Sequence, residues 1–447
     1  MSKRTLLVAA MWMVVTGVSQ RSVAQDAGQG DAREGELGMT LEALFRIADE
    51  HNTSIKSFQS TIAETEAGIA AAKAQRLPDV DATVSFSYLG GGRITDRDFT
   101  NGFGVHIPHY GNNFAVQASW AFYTGGAITS GINLSQLAAE MAKASASDNR
   151  QHVRMLVTGY YLQLHNLKNQ ERVFDENIAL AESLIALTEQ RRSEGVVLKN
   201  DITRYELQLE SLRLARTQVQ NQAKVVNHQL TTALGIAEGV NILPSETFEG
   251  FSPEESEAFW QEEALTNAPS LKQAQLSMEM SQQQVKLEKS ARRPTIALVA
   301  EEHLDGPITV EIPNLNKNLN YFFVGIGLKY RFGSLYKNNK KVRQAKLAVE
   351  TAQLRHRAAT EQVENAVQAA FVNYQTSQSE LSTSQKSVEL AQENYEVISN
   401  RYHNGLALVT DMVDAANQRL DAQLALVNSR INVLYNFYNL KYITGTL

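Results

Sequence analysis

The sequence contains no cysteine and only 8 prolines among its 447 residues. Without cysteine the chain can form no disulfide and can use no thiol for chemistry, so its stability must come from packing or assembly. The low proline content excludes a proline-rich scaffold. A hydrophobic content of 43% with 20% charged residues excludes a disordered chain.

Long apolar runs are also missing. Lys3 and Arg4 precede an apolar run, Leu6–Val18, and small residues up to Ala24 supply a cleavage site, which predicts a secretory signal peptide at residues 1–24. A membrane anchor is the alternative, but the run is shorter than the ~20 residues of a spanning helix. No comparable apolar stretch follows. Any membrane-embedded part must therefore consist of strands, which indicates the outer membrane.

Positive charge is scarce, since 42 Lys and Arg stand against 48 Asp and Glu. Removal of the signal peptide would take away Lys3, Arg4 and Arg21 and leave the mature chain more acidic. No basic stripe occurs elsewhere. The charge balance therefore argues against nucleic acid as a partner.

The sequence does contain an internal repeat. A shift of 210 residues superposes residues 191–235 on 401–445 without a gap, and upstream the shift becomes 216. Matched pairs include Arg191 with Arg401, Gly195 with Gly405, Leu198 with Leu408 and Asp201 with Asp411. The predicted organisation is an N-terminal segment 25–39, a first structural repeat 40–235, an acidic equatorial connector 236–261 and a second structural repeat 262–447.

Each repeat begins with a helix and continues with two strands. In the first repeat, Thr40 is the candidate N-cap of a helix that runs to about Arg76, and Pro78 stops it. A period of two then appears at 80–88, 114–122, 296–300 and 322–332. Strands of about 10 residues with one apolar face are typical of membrane barrels. A soluble, half-buried sheet is the alternative.

Four strands per chain are too few for a membrane barrel, which needs at least about 8. Several chains must therefore share one barrel if the strands lie in lipid. We predict a homotrimer, because three chains leave a lumen for solutes and two would not.

Very long helical patterns follow both strand pairs. From Val153 to Thr188 the seam residues step by four and three in strict alternation, and the same phase recurs from Val363 to Ile398. The predicted first long helix, 126–192, would span ~100 Å at 1.5 Å per residue. The predicted fold class is an α+β membrane protein, in which a long antiparallel coiled-coil barrel of helices continues a β-barrel to which each chain gives four strands.

Two shorter helices, 41–76 and 201–233, together match the length of the long one. Stacked end to end, they would flank it over its whole length, with an irregular belt at their junction. The connector fits that belt, since the stretch from Gly235 through Glu263 contains eight Glu and neither Lys nor Arg.

Several motifs carry a resemblance to a known family. The segments Arg401–Gly405 and Thr410–Ala415, the end of the chain at Leu440–Leu447, and Arg191–Asp201 in the first repeat resemble the TolC family of outer-membrane efflux proteins. The resemblance covers essentially the whole mature chain. It implies a homotrimer with a twelve-stranded barrel and a helical tunnel through the periplasm of a Gram-negative bacterium. It also implies a passive duct, in efflux or type I secretion, that docks onto a periplasmic adaptor and an inner-membrane pump or ABC transporter.

The resemblance places the adaptor-docking tip at the two turns between long and returning helices. Gly195 and Gly405 are expected to be left-handed residues that end the long helices. The tip residues are Arg191, Gly195, Val196, Leu198, Arg401, Gly405, Leu406 and Leu408. Many relatives have a lipidated cysteine after the signal; this chain has none, so membrane attachment would rest on the barrel and its contact with outer-membrane lipid.

Asp411 and Asp414 lie three residues apart on one helical face. They could be carboxylates that satisfy the N-terminal helix dipole. The resemblance implies instead a ring of aspartates that constricts the closed tunnel, and we favour this gate. Asp201 is interpreted as a helix cap. The basic partner that the family has near the second turn is not evident, because Ala407 occupies a position that is often polar.

The sequence offers little for chemistry. His106 with His109 and Met278 with Met280 form pairs for which the sequence places no further ligand. The remaining His residues show no catalytic constellation. We predict that the chain is not an enzyme and has no cofactor or metal, and a periplasmic coiled-coil scaffold without a channel is the alternative function.

Overall fold

The computed structural model describes residues 36–195, 197–237, 239–245, 255–309 and 315–447. The predicted signal peptide, most of the N-terminal segment and the middle of the connector lie outside the described residues. Across the described ranges, every helix fails the combination of length and hydropathy that a bilayer-crossing segment needs.

Strands and helices are numbered in chain order. The strands are β1 (Glu36–Met39), β2 (Asp79–Tyr88), β3 (Gly92–Ile94), β4 (Phe103–Val105), β5 (Tyr110–Tyr123), β6 (Asn241–Pro244), β7 (Thr295–Gly306) and β8 (Leu319–Lys329). The helices are α1 (Leu41–His51), α2 (Thr53–Ala74), α3 (Ala127–Ser193), α4 (Lys199–Leu234), α5 (Glu257–Asn267), α6 (Pro269–Ser290), α7 (Ser334–His403) and α8 (Val409–Thr444).

The opening helix of the first repeat differs from its prediction. Thr40 caps α1 as predicted, but the single helix to Arg76 is wrong, because the chain breaks at Asn52 into α1 and α2. The backbone of Asn52 is extended, and its side-chain oxygen accepts the Ile55 N–H at 3.1 Å. Asn52 therefore ends one helix and caps the next. The second repeat breaks in the same way before Pro269, which disfavours a helical residue at Ala268.

The four predicted strands form one antiparallel sheet in the order β2-β5-β7-β8. The third of these, β7, has the least regular sequence pattern. It extends furthest beyond its predicted bounds, since it continues from Ala300 to Gly306. A short hairpin of β3 and β4 lies in the loop between β2 and β5. Strands β2 and β8 form the two edges of this sheet.

The register aligns side chains of one kind across the sheet. Val84 lies opposite Phe114, which lies opposite Leu304. Successive residues of a strand point to opposite faces, so the paired rows divide into an apolar and a polar face. The apolar face holds Val80, Ala82, Val84, Phe86, Phe114, Val116, Leu298, Ala300, Phe322, Val324, Ile326 and Leu328. The polar face holds Asp79, Asp81, Glu301, His303 and Asp305, and β8 adds Leu319, Tyr321 and Phe323 to it. On the apolar face, Glu302 is the one charged residue among the paired positions of the described strands.

The long helices confirm the predicted coiled coils. Helices α3 and α7 have 67 and 70 residues and are therefore ~100 Å long, and each pairs with a returning helix of 36 residues. The predicted seam residues are buried or half-buried, among them Val157 and Leu164 of α3 and their counterparts Val367 and Tyr374 of α7. The core of the molecule therefore runs along the helical hairpins.

Each returning helix ends against the break between two short helices, α4 at the break between α1 and α2 and α8 at the break between α5 and α6. Gly235 closes α4 with φ +70°, and a Cβ there would lie 2.6 Å from the carbonyl oxygen of His51. Gly445 closes α8 with φ +76°, and a Cβ there would lie 2.5 Å from that of Asn267. Glycine satisfies both the left-handed backbone and the close approach. Beside the first junction, β1 pairs in parallel with β6, a two-stranded sheet that the sequence did not predict.

Candidate functional site

The turns at the far ends of the hairpins have nearly the same backbone. Gly195 and Gly405 have φ +77° and +73°, as expected for residues that end helices in the left-handed conformation. The Gly195 N–H donates to the Arg192 carbonyl at 2.9 Å, and the Gly405 N–H donates to the Tyr402 carbonyl at 3.1 Å. A Cβ at either glycine would meet no atom within 4 Å, so the backbone angle alone demands glycine.

Large apolar side chains project from these turns. Leu198 is 73% exposed, Leu406 is 69% exposed and Leu408 is 70% exposed. Val196, predicted with them, lies outside the described residues. Three exposed leucines therefore lie at the turns of the two hairpins, and exposed apolar side chains that cluster mark contact sites for a partner. We refer to Leu198, Leu406 and Leu408 as the apolar tip.

Asp411 has a defined local role. Its carboxylate accepts the Leu408 N–H at 3.0 Å, as the carboxylate of Asp201 accepts the Leu198 N–H at 3.1 Å in the first repeat. Both carboxylates therefore stabilise the first turn of a returning helix, which confirms the interpretation of Asp201 as a cap. Asp414 accepts a hydrogen bond from the amide nitrogen of Gln418 at 2.8 Å. Asp411 and Asp414 are both exposed in the single chain.

The two arginines predicted at the tip have different partners. The Arg191 guanidinium donates to the Tyr402 carbonyl at 3.0 Å and also to the His403 carbonyl. It lies over the Tyr402 ring, 5.2 Å from its centroid. Arg401 donates to the Leu406 carbonyl of its own turn at 3.4 Å. Arg191 therefore joins the end of α3 to the end of α7, whereas Arg401 stays within its own hairpin.

A buried cluster of aromatic residues lies behind the apolar tip. Tyr205, Tyr395, Tyr402 and Met412 are buried together, and burial raises the pKa of the Tyr205 phenol well above its usual range. The Thr188 hydroxyl lies 3.3 Å from the Tyr402 hydroxyl. Tyr205 and Tyr395 lie on regular seams, but the packing of Tyr402 was missed, because it follows the last seam residue of α7. The cluster fixes the two hairpins to each other.

No three His, Cys, Asp or Glu side chains are grouped to hold a metal ion within the described part of the chain. The His106 and His109 rings lie 6.0 Å apart. The candidate functional features are therefore the apolar tip and the sheet with one apolar and one polar face.

Comparison with known proteins agrees with this geometry. The chain is 25% identical over 274 residues to "Outer membrane protein TolC" of Salmonella enteritidis, a match that covers 58% of this chain and 54% of that protein. The chain thus spans about half the length of the curated relatives it matches.

Solved structures extend the likeness to nearly the whole chain. The outer-membrane channel OprN has a TM-score of 0.75 at 17% identity and covers 91% of this chain and 90% of its own. The CmeC outer membrane channel of Campylobacter jejuni has a TM-score of 0.75 at 15% identity and covers 91% of this chain and 85% of its own. At these identities the structures show the fold alone, which is a TolC-like fold of long helices with four antiparallel strands.

A sequence model for one family matches both repeats. The family is described as "Outer membrane efflux protein", and the matched residues are 44–236 and 260–446. These segments make up most of the chain and leave out all but the ends of the connector. By this match, over both of its repeats, the chain belongs to the outer membrane efflux protein family.

Proposed function

We propose that this chain is the outer-membrane channel of a tripartite efflux or type I secretion system, a passive conduit for substrates that an inner-membrane transporter delivers. The family is one of non-enzymatic transport proteins in the outer membrane of Gram-negative bacteria, with a helical part in the periplasm. The main support for this proposal is that the sheet, the long hairpins and the apolar tip follow one another in one continuous structure. A sheet with an apolar and a polar face leads into ~100 Å hairpins that end in the apolar tip.

The proposed assembly is a homotrimer with one shared barrel. The sheet has four strands, and its outer strands, β2 and β8, have no strand partner on their outer sides among the described residues. An open sheet edge in lipid leaves backbone groups without hydrogen bonds, so the edges must be paired by other chains. Three chains would close a barrel of twelve strands with the apolar face toward outer-membrane lipid and the polar face toward the lumen.

The proposed partners at the other end are a periplasmic adaptor and, through it, an inner-membrane pump or ABC transporter. Leu198, Leu406 and Leu408 supply the apolar contact. Gly195 and Gly405 set the turns that present these leucines. Arg191 and Arg401 border the surface. Val196 belongs to the same proposal because it follows Gly195 in the sequence.

Asp411 and Asp414 form the proposed gate. Three chains would bring six carboxylates around one axis, where like charges repel one another and attract cations. The hydrogen bond from Leu408 uses one carboxylate oxygen of Asp411 and leaves the other available. A capping role and a gate role are therefore compatible in Asp411.

Conductance in planar lipid bilayers tests the channel. The purified protein should give stable single-channel currents, and its band on a denaturing gel should shift on heating. A coiled-coil scaffold without a barrel would give neither result. Absence of both, in a sample that is folded by circular dichroism, would contradict the channel and favour the scaffold.

A further inference from the structure

The two hairpins meet along a defined interface within one chain. Helix α3 packs against α8, and Leu180 of α3 and Leu424 of α8 lie half-buried against the clusters that join them. Their counterparts at a shift of 210 are Leu390 of α7 and Leu214 of α4. Leu390 is 53% exposed and Leu214 is 60% exposed. The chain therefore leaves open, on α7 and α4, the flanks that correspond to the ones it closes on α3 and α8.

The arginines at the tip show the same asymmetry. Arg191 of α3 reaches the last carbonyl groups of α7, across the interface. Arg401, its counterpart on α7, is exposed and bonds within its own turn. A closed ring of alternating hairpins would place the end of α3 from a neighbouring chain where Arg401 can reach it.

The acceptor groups at the end of α3 suit such a contact. The Tyr402 carbonyl accepts both the Gly405 N–H and the Arg191 guanidinium. Its counterpart, the Arg192 carbonyl, accepts the Gly195 N–H at 2.9 Å and also the Glu194 N–H. The Tyr402 carbonyl likewise accepts the Asn404 N–H and still binds the Arg191 guanidinium. Carbonyl groups at a helix C-terminus attract cations. Glu194 adds a carboxylate beside them, at the position that corresponds to Asn404.

We propose that Arg401 makes between chains the contact that Arg191 makes within one chain. Its guanidinium donates to the carbonyl groups of Arg192 and Ser193 in a second copy of this chain, while α7 packs against that copy's α4 and covers Leu390 and Leu214. This inference rests on the proposed homotrimer. Three intrachain and three interchain contacts would then alternate around the ring of hairpin ends.

Thiol crosslinking tests the proposal directly, because the chain has no cysteine of its own. The reference pair, Arg191→Cys with His403→Cys, samples the contact within one chain and selects the length of bismaleimide that joins it. The test pair, Arg401→Cys with Ser193→Cys, receives the same reagent in the full-length, detergent-solubilised protein. Both pairs remove the arginine they examine, so they are matched.

The crosslinked products of the two cysteine pairs should differ in mass. The reference pair should stay at the mass of one chain on a denaturing gel, with the link identified as a crosslinked peptide by mass spectrometry. The test pair should shift to the masses of two and three linked chains. Each single-cysteine variant should stay at the mass of one chain, and a dimer from Arg401→Cys alone would overturn the contact because the ends of α7 would then meet one another.

The native mass of the sample distinguishes failure of the Arg401 contact from failure of the homotrimer. A trimeric sample in which the test pair stays unlinked would overturn the Arg401 contact and leave the assembly intact. A monomeric sample would overturn the homotrimer and the Arg401 contact with it.

Discussion

The first and second hairpins share a backbone and differ in what they present on it. Gly195 and Gly405 have the same left-handed conformation, and Asp201 and Asp411 accept the same capping hydrogen bond. One helical turn further, charge is reversed, since Arg204 in the first hairpin corresponds to Asp414 in the second. The repeat therefore conserves the geometry of the turn and lets the charge of the surface diverge.

The arginine before each turn shows the same division. Arg191 holds the end of the other hairpin, whereas Arg401 bonds within its own turn. The first hairpin therefore supplies the contact between the hairpins, and the second carries the carboxylates of the proposed gate. Variants at matched positions of the two hairpins can test this division of roles.

The largest loss of function is expected from replacing the glycines that give the two turns the same backbone. Gly405→Val should abolish efflux without preventing assembly, because a β-branched residue resists positive φ at a cost of roughly 1–2 kcal/mol and misplaces the apolar tip. The measurement is resistance to a toxic substrate in a host that lacks its own channel, with trimer content checked on mild-detergent gels. Gly195→Val should act in the same way if the two turns are equivalent.

Gly68→Ala provides the matched control for these turns. Gly68 lies in the interior of α2, and a Cβ there meets no atom within 4 Å. Its alanine variant should retain resistance. Wild-type resistance in Gly405→Val would remove the docking role from the second turn.

The regular patterns in the sequence predicted much of this architecture, for a physical reason. Seam positions such as Val157 and Val367 must be buried for a helix pair to form, and the period of 3.5 records that burial. No periodic pattern in the sequence marks the break at Asn52, because a single side chain creates it by capping α2. The contact of Arg191 with α7 was also beyond the sequence, since it joins residues on separate elements whose spacing depends on the packing of the whole interface.

A smaller effect, on channel conductance, is expected from removing the carboxylates of the proposed gate. Substituting both Asp411 and Asp414 by Ala should raise resting conductance and weaken cation preference, because up to six carboxylates would be lost from a narrow end of the tunnel. Multivalent cations should block the parent channel and leave the double variant open. Single-channel recording with trivalent cations on the periplasmic side measures all three properties.

Asp201→Ala separates a gate from a cap. It removes the same capping hydrogen bond from the first hairpin, at a cost of about 1 kcal/mol, and should leave conductance, ion preference and block unchanged. If the Asp411 and Asp414 variant behaves like Asp201→Ala, both aspartates are residues of a helix start and the constriction lies elsewhere.

The smallest effect concerns the belt, where the repeats differ again. Asp49 of α1 pairs with Arg150 at 2.5 Å and Arg154 at 2.6 Å. The corresponding residues of the second repeat are Leu265, Thr360 and Glu364, which cannot form this cluster. Burial alone would raise the pKa of Asp49, but the hydrogen bonds and charges of the two arginines outweigh it and hold the pKa below its ordinary value of 3.8.

A carboxylate with a lowered pKa stabilises the fold above its unfolded pKa and loses that contribution as pH falls through the folded one. Asp49→Asn should therefore lower stability at pH 7 by about 1 kcal/mol, a modest figure because Arg150 is half exposed. The difference in Tm between wild type and variant should shrink once the pH falls below 3.8, the ordinary value from which the pKa of Asp49 is lowered. Asp175→Asn is the matched control and should change Tm little, since the Asp175 side chain, which pairs with Arg216, is 47% exposed and that of Asp49 is 19% exposed. If the Asp49→Asn difference stays constant into the acid range, Asp49 acts by packing and its charge has no part in the belt.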